Sequence, residues 1–202
     1  MARYLPSRPH DPADGFHGGD GAPSQASVGG FWQWAFSNFA DNTIRGILAE
    51  YLVGAALGCP MDVPRNPWAD FDLLTPDGIK VEVKASGRVQ SWDSRGSAVV
   101  FSGLKGQAVT GDGAAYEGRR QFRADVYVFA LQTATHPGDL RPLDLGQWAF
   151  WVIPRPVLQE LDQRSISLSR VERLGTPATY ATLRETVLAC HAAASQDAPA
   201  LV

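Results

Sequence analysis

The chain has 202 residues, of which 45% are hydrophobic and 19% charged, and its formal net charge is −3. These values are typical of a single globular domain with a sizeable core, and the acidic balance excludes a protein that binds nucleic acid through bulk positive charge. Two isolated cysteines, Cys59 and Cys190, exclude a disulfide scaffold, and no apolar run is long enough to span a bilayer, so we expect a cytoplasmic protein without membrane association.

The domain boundaries follow from composition. Residues 1–29 are rich in Gly, Pro, Asp and Ser and have no apolar periodicity, which predicts a disordered N-terminal tail. A single domain is predicted over residues 30–195, and residues 196–202 are predicted to be a C-terminal tail.

The domain opens with an aromatic segment, FWQWAFSNFADN, at residues 31–42. Trp32, Phe36 and Phe39 recur in it at helical spacing. Aromatic residues at this spacing usually belong to a core, and a platform on which bases stack is the alternative.

A buried helix is predicted from about Thr43 to Leu57, with Asp41 or Asn42 as its N-cap. Its main apolar stripe consists of Ile44, Leu48, Leu52 and Ala55, and the opposite side holds Gly46, Glu50, Val53, Gly54 and Leu57. Because the helix is apolar nearly all round, we expect it to be buried, with Glu50 largely out of water. A carboxylate in that position needs a partner, which is either an arginine (Arg45 or Arg65) or a metal site.

The remaining elements are predicted from apolar runs and from turn residues. Strands are expected at about 68–75, 79–86, 97–102, 124–133 and 147–154, with the strongly apolar 124–133 in the centre of the sheet. RPVLQEL and PATYATLRETVLACHAAA are predicted helices, SISLSRV a further strand or extended segment, and the Gly-rich 103–123 mostly loop.

The turn Thr-Pro-Asp-Gly sets the register of the hairpin formed by the first two of these strands. Pro76 suits the second position of a type I turn, and Gly78 then takes the left-handed conformation, which gives a three-residue loop with Thr75 paired to Ile79. In this register Asp72 lies opposite Glu82 and Asp70 opposite Lys84, with all four side chains on one face. A two-residue Asp-Gly turn is the alternative, and it would turn Asp72 away from Glu82.

Two carboxylates about 5 Å apart repel unless a proton or a cation lies between them. Hard oxygen ligands at this spacing suit Mg²⁺, which typically takes one or two carboxylates and keeps waters for a phosphate. Lys84 shares the face of Glu82 and can hold a water or a phosphate oxygen. The alternative is a hairpin that faces solvent and carries a lattice of surface charges.

With these residues in place, the chain resembles the PD-(D/E)XK nuclease superfamily. The resemblance covers about residues 42–133 and rests on Glu50 in GILAEYLVG, Asp72 in WADFDLL and Glu82-Val83-Lys84 in VEVKAS. It implies an α/β restriction-endonuclease-like fold, a mixed β-sheet core flanked by helices, here with a C-terminal strand-helix extension. The chain departs from the family in two places, since Phe71 precedes Asp72 where the family has proline, and the Gly-rich 103–123 stands where the family has a helix.

The resemblance also implies roles for the site residues. Asp72, Glu82 and the Val83 carbonyl would bind Mg²⁺, with Mn²⁺ as a substitute. Lys84 would orient or activate the attacking water, and Glu50 would hold a second metal or a metal-bound water. Asp70 remains a rival to Asp72, and the register favours Asp72. Ser86 and Gln90 lie where such enzymes often place a polar helper.

A basic segment follows the hairpin. Residues 79–123 contain eight basic and four acidic side chains, although the whole chain is acidic. As a set they are candidates for contacts with the phosphate backbone, while each one alone is typical of a solvated surface. The predicted nucleic-acid-binding residues are Arg88, Gln90, Arg95, Lys105, Arg119, Arg120 and Arg123.

Three functions are compatible with these observations. The first is a Mg²⁺-dependent DNA endonuclease of the restriction, defence or repair type, which hydrolyses phosphodiester bonds and which the intact Asp, Glu and Lys favour. The second is a catalytically inactive nucleic-acid-binding or assembly module of the same fold, and the third is a globular domain whose hairpin has no function. Cleavage of both DNA strands would favour a homodimer, although no sequence feature predicts one.

Overall fold

The computed structural model of the chain describes residues 8–67, 69–90, 98–109 and 116–196. The strands are β1 (Gly15–His17), β2 (Pro23–Ser27), β3 (Leu73–Leu74), β4 (Lys80–Gly87), β5 (Val100–Ser102), β6 (Gly106–Val109), β7 (Tyr116–Gln121), β8 (Val126–Gln132), β9 (Trp148–Pro154), β10 (Ser165–Ser167) and β11 (Thr176–Ala178). The helices are α1 (Val28–Phe36), α2 (Asn42–Leu57), α3 (Arg155–Leu161), α4 (Leu168–Leu174) and α5 (Leu183–Gln196). None of the helices in these ranges is long and apolar enough to cross a membrane.

The principal sheet has five strands in the order β11-β9-β8-β4-β3, which confirms the predicted α/β class with a mixed sheet. Strand β4 runs parallel to β8, with Val83 beside Val128, whereas β9 runs antiparallel to β8, with Val152 beside Val128. Strand β8 is central, as its apolar sequence predicts, and all seven of its residues are buried. The short β3 lies at the edge, next to β4.

Alternate residues of β8 enter two separate hydrophobic clusters, because successive side chains of a strand point to opposite faces. Val126 and Val128 belong to the cluster that packs against α2 and α5. Tyr127 and Phe129 belong to the other, which includes Leu158 of α3 and residues of α4. The sheet is therefore covered by helices on both faces. Glu82 and Lys84 alternate along β4 with Val81 and Val83, which pack against α2, so these two side chains lie on the opposite face, next to the edge strand β3.

Helix α2 begins at the predicted N-cap, since the Asp41 side chain accepts hydrogen bonds from the backbone N–H groups of Thr43 and Ile44. The predicted apolar stripe is wrong, because the buried residues are Arg45, Ala49, Val53, Gly54 and Leu57 rather than Ile44, Leu48, Leu52 and Ala55. The buried face is displaced by about one position. Apolar residues occur on both sides of this helix, so the pattern could not select the face.

The N-terminal region differs from its prediction in two ways. Residues within the predicted disordered tail form the antiparallel β1–β2 hairpin, and the Ser27 side chain then caps α1 by accepting from the Gly30 N–H. The prediction that the aromatic residues of α1 are core is wrong, since α1 buries no residue, Trp32 and Phe36 are exposed, and Trp34 is 85% exposed. Helical spacing predicts that these rings lie on one helix, but it does not predict whether another element packs against them.

Four further elements differ from their predictions. The strand expected over 68–75 is only β3 in the described residues, and the expected loop at 103–123 contains the β6–β7 hairpin. SISLSRV divides into β10 and the start of α4. The helix expected over PATYATLRETVLACHAAA begins only at Leu183, because its first two residues belong to β11, which pairs with β9. Strand β10 is fixed by pairing with β5. The parallel connection from β4 to β8 thus contains, in its described parts, strands where the resemblance implied a helix.

Candidate active site

The β3–β4 hairpin has the predicted register. Leu73 pairs with Val81 and Leu74 with Lys80, and the Thr75 N–H donates to the Ile79 carbonyl over 3.0 Å. The Gly78 N–H donates to the Thr75 carbonyl over 2.9 Å, and Gly78 has a φ of 81°. A residue with a side chain rarely adopts that angle, so the glycine is what permits the three-residue loop.

Asp72 directly precedes Leu73, the first residue of β3. Its Oδ2 accepts a 2.8 Å hydrogen bond from the backbone N–H of Val83. In a longer edge strand a backbone carbonyl would accept from this N–H, and here the Asp72 carboxylate takes that place. Burial, followed by the negative charges of Glu82 and Glu50, raises the pKa of Asp72 to about 7. The charges of the other two predicted carboxylates therefore reach Asp72.

Glu82 and Lys84 lie on the same face of β4, two residues apart. The Lys84 Nζ lies 2.7 Å from Oε1 of Glu82, and both side chains are mostly buried. Strand β8 places Tyr127 beside Glu82. Burial, and then the Glu82 charge, raises the pKa of Tyr127 to about 12, so this phenol stays protonated at neutral pH.

Asp70 does not face Lys84 as the register predicted. It is 49% exposed and pairs with Arg123 across 3.2 Å, because the ladder ends at β3 and does not extend to residue 70. Asp72, in contrast, is mostly buried, and the negative charges of Glu82 and Glu50 contribute to its raised pKa. Of the two rival aspartates, the one that lies with the other site residues is Asp72.

Glu50 has an arginine as its partner, one of the two alternatives left open by the sequence. Arg65 donates to both carboxylate oxygens, through Nε to Oε2 and through Nη2 to Oε1, the latter over 2.7 Å. The Glu50 side chain is only 13% exposed. The hydrogen bond to Glu50 is the main cause that raises the pKa of Arg65, and Asp72 and Glu82 add to it. Arg65, which the sequence offered only as a candidate partner, is thus a fifth member of the site.

Arg45, the other candidate partner, is buried and serves a different purpose. Its guanidinium donates to the carbonyls of Ala40 and Val89, at 2.6 and 3.0 Å, and to the side chain of Gln90. Gln90 in turn donates to the Gly87 carbonyl. This network ties the start of α2 to the end of β4, and it uses a residue, Gln90, that was predicted to contact nucleic acid.

The predicted basic residues are only partly gathered at the site. Lys105 is held by the carbonyl and carboxylate of Asp162 and lies over the Phe122 ring. Arg123 is paired with Asp70. Arg88, Arg119 and Arg120 are exposed and remain candidates for phosphate contacts, Ser86 is buried, and Arg95 lies outside the described residues.

The donor set fits a small hard cation only in part. Among the residues that the structure describes, no group of three or more His, Cys, Asp and Glu side chains is arranged to hold a metal. Asp72 and Glu82 remain as a pair, which is the number of carboxylates that Mg²⁺ typically takes when waters complete its coordination. Burial and then the Glu82 charge raise the pKa of Asp72, and a divalent ion would relieve the repulsion between these two carboxylates. Glu50 is engaged by Arg65 and does not join this pair.

Comparison with known proteins adds no relative to this picture. A scan against protein-family models and a search of curated proteins both give no match for this chain. The chemistry of the site therefore has to be inferred from Glu50, Arg65, Asp72, Glu82 and Lys84 themselves.

Proposed function

We propose that the chain is a Mg²⁺-dependent endonuclease that hydrolyses phosphodiester bonds in DNA and that has the restriction-endonuclease-like fold. The observation that carries the proposal is the meeting of Asp72 with Glu82 beside Lys84, where burial and like charge raise the pKa of Asp72 to about 7. The order of elements supports the fold: a helix with Glu50, an antiparallel hairpin with the acids, and a crossover to the parallel strand β8.

The residues have distinct chemical tasks in this proposal. Mg²⁺ bound by Asp72, Glu82 and the Val83 carbonyl would supply a water activated for attack and would neutralise charge on the phosphate. The Lys84 Nζ lies next to Glu82, where it would donate hydrogen bonds to the attacking water or to a phosphate oxygen. The Glu82 and Lys84 side chains are mostly buried, and exclusion of water strengthens each of these electrostatic contacts.

Binding of the DNA backbone is assigned to exposed arginines. Arg88 follows β4 directly, and Arg119 and Arg120 lie on β7. Each phosphate contact of this kind is independent of sequence and weakens as salt concentration rises. These side chains therefore position the strand, while the acidic site performs the reaction.

A second function is favoured by one observation. Arg65 neutralises Glu50, and the described residues contain no three-carboxylate metal cluster. A catalytically inactive nucleic-acid-binding module of the same fold would have this arrangement. It would bind DNA with the same salt dependence but would not cleave it.

A cleavage assay separates the two functions. The protein is incubated with plasmid, linear and branched DNA in Mg²⁺ or Mn²⁺, and we expect cleavage by the wild type and a loss of about 100-fold or more in Lys84→Ala. Lys80→Ala is the matched control, since it removes a lysine from the same strand at an exposed position. Absence of cleavage by the wild type on every substrate, with DNA binding retained, would establish the inactive module instead.

A further inference from the structure

An open cavity of about 440 Å³ adjoins the candidate active site. Its apolar walls come from α2, from the loop that follows α2 and from β3, and they include Tyr51, Val63 and Leu74. Arg65 and Asp72 also line the cavity, so it is continuous with the acidic site. A ligand in the cavity would therefore lie next to Asp72, one of the proposed metal ligands.

The walls of this cavity leave large apolar side chains in contact with solvent. Tyr51, Met61, Val63 and Leu74 all line it and are all exposed, Val63 to 63%. Scattered exposed apolar residues are normal, but several around one concave surface indicate a surface that binds something apolar. The tyrosine supplies a ring on which a flat ligand can stack.

One part of the cavity lining is polar and carries both signs of charge. The guanidinium of Arg65 and the carboxylate of Glu50 form their ion pair there, and Asp72 lies beside them. A ligand that enters with an apolar face and a polar edge can use both parts of the cavity. Pockets for small molecules run from about 300 to 1,000 Å³, so this one holds a single nucleotide unit rather than a helix or a duplex.

We propose that this cavity receives one unpaired nucleobase of the DNA substrate, with its face against Tyr51 and its hydrogen-bonding edge toward Arg65 and Glu50. The inference rests on the proposed function, because the scissile phosphate of that nucleotide would then lie near Asp72, Glu82 and Lys84. A base can enter only after leaving the helical stack. The preferred substrate is therefore DNA in which unstacking costs least: a single strand, a mismatch or a damaged position.

Binding of two short duplexes to the metal-free protein tests the inference. One duplex contains a mismatched adenine, and the other has an abasic site at the same position. Fluorescence anisotropy in EDTA should show about tenfold tighter binding of the mismatch, which is within the range of one base–aromatic stacking contact. Tyr51→Ala should remove this difference, and Tyr51→Phe, which keeps the ring, should retain it.

Leu143→Ala is the control for loss of an exposed apolar side chain outside this cavity, and it should leave the tenfold difference intact. A melting curve of Tyr51→Ala checks that the variant folds. Equal affinity of the wild type for both duplexes, no binding of either, or a preference that persists in Tyr51→Ala would each overturn the inference.

The cleavage assay keeps this inference separate from the proposed function. Lys84-dependent cleavage together with equal affinity for the two duplexes would retain the nuclease and reject the base-binding cavity. Tyr51-dependent preference for the mismatch without cleavage in Mn²⁺ would retain the cavity and reject the nuclease.

Discussion

The crowding of carboxylates around Asp72 predicts a specific dependence of stability on pH. Burial and the charges of Glu82 and Glu50 raise its pKa from 3.8 to about 7. Between these two values the folded chain keeps a proton that the unfolded chain has released, so the free energy of unfolding falls as pH rises and then levels off above about pH 7. The full loss corresponds to up to about 4 kcal/mol.

Comparison of the wild type with Asp72→Asn isolates this contribution. The asparagine oxygen can still accept from the Val83 N–H, but the side chain no longer ionises. Urea denaturation in EDTA across this pH range should show the variant gaining up to about 4 kcal/mol relative to the wild type. Asp70→Asn makes the same chemical change at a half-exposed side chain and is the matched control. If the difference between wild type and Asp72→Asn does not change with pH, burial and the neighbouring carboxylates do not raise the pKa of Asp72.

Three further predictions concern the metal, the ion pair and the packing of the sheet. Mg²⁺ or Mn²⁺ should raise the melting temperature of the wild type in a thermal-shift assay, and Glu82→Ala should abolish that rise because the ion loses one of its two carboxylates. In the absence of metal, Arg65→Ala should lower the free energy of unfolding by about 1–3 kcal/mol, since it leaves the mostly buried Glu50 carboxylate unpaired. Because the variant also removes a positive charge from the site, calorimetric titration should show that it binds Mn²⁺ more tightly than the wild type. Gly87→Ala should lower the free energy of unfolding by about 1–3 kcal/mol, because its Cβ would lie 2.9 Å from the Arg45 guanidinium carbon. The Cβ of Gly46→Ala meets nothing within 4 Å, so this variant should raise the free energy of unfolding by about 1 kcal/mol. Urea denaturation measures both changes.

The features that the sequence predicts well are those decided by neighbouring residues. Thr75 to Gly78 form a turn whose geometry depends on a proline and a glycine within it, and this turn alone sets the register of β3 against β4. Asp41 caps α2 through N–H groups two and three residues away. The central strand is recognised because a strand covered on both faces must be apolar throughout.

The features that the sequence does not predict depend on distant partners. The buried face of α2 includes Arg45. Its charge is stabilised in this buried position because the guanidinium donates hydrogen bonds to the carbonyls of Ala40 and Val89. Arg65 lies in a loop without periodicity, and the need of Glu50 for a partner left Arg45, Arg65 and a metal site open as alternatives. The aromatic rings of α1 are exposed, because no element of the described chain covers them.

The charges of the site explain why a cation and a phosphate would enter it together. Three acids (Glu50, Asp72 and Glu82) face two bases, Arg65 and Lys84, and the raised pKa of Asp72 leaves that carboxyl partly protonated near neutral pH. A divalent ion that displaces this proton would make the group of five side chains and the ion net positive. Such a site repels further cations and attracts a phosphodiester anion, so metal binding and substrate binding should each strengthen the other. Arg65 adds to this coupling, because without its charge the three acids, Lys84 and the ion would together be neutral.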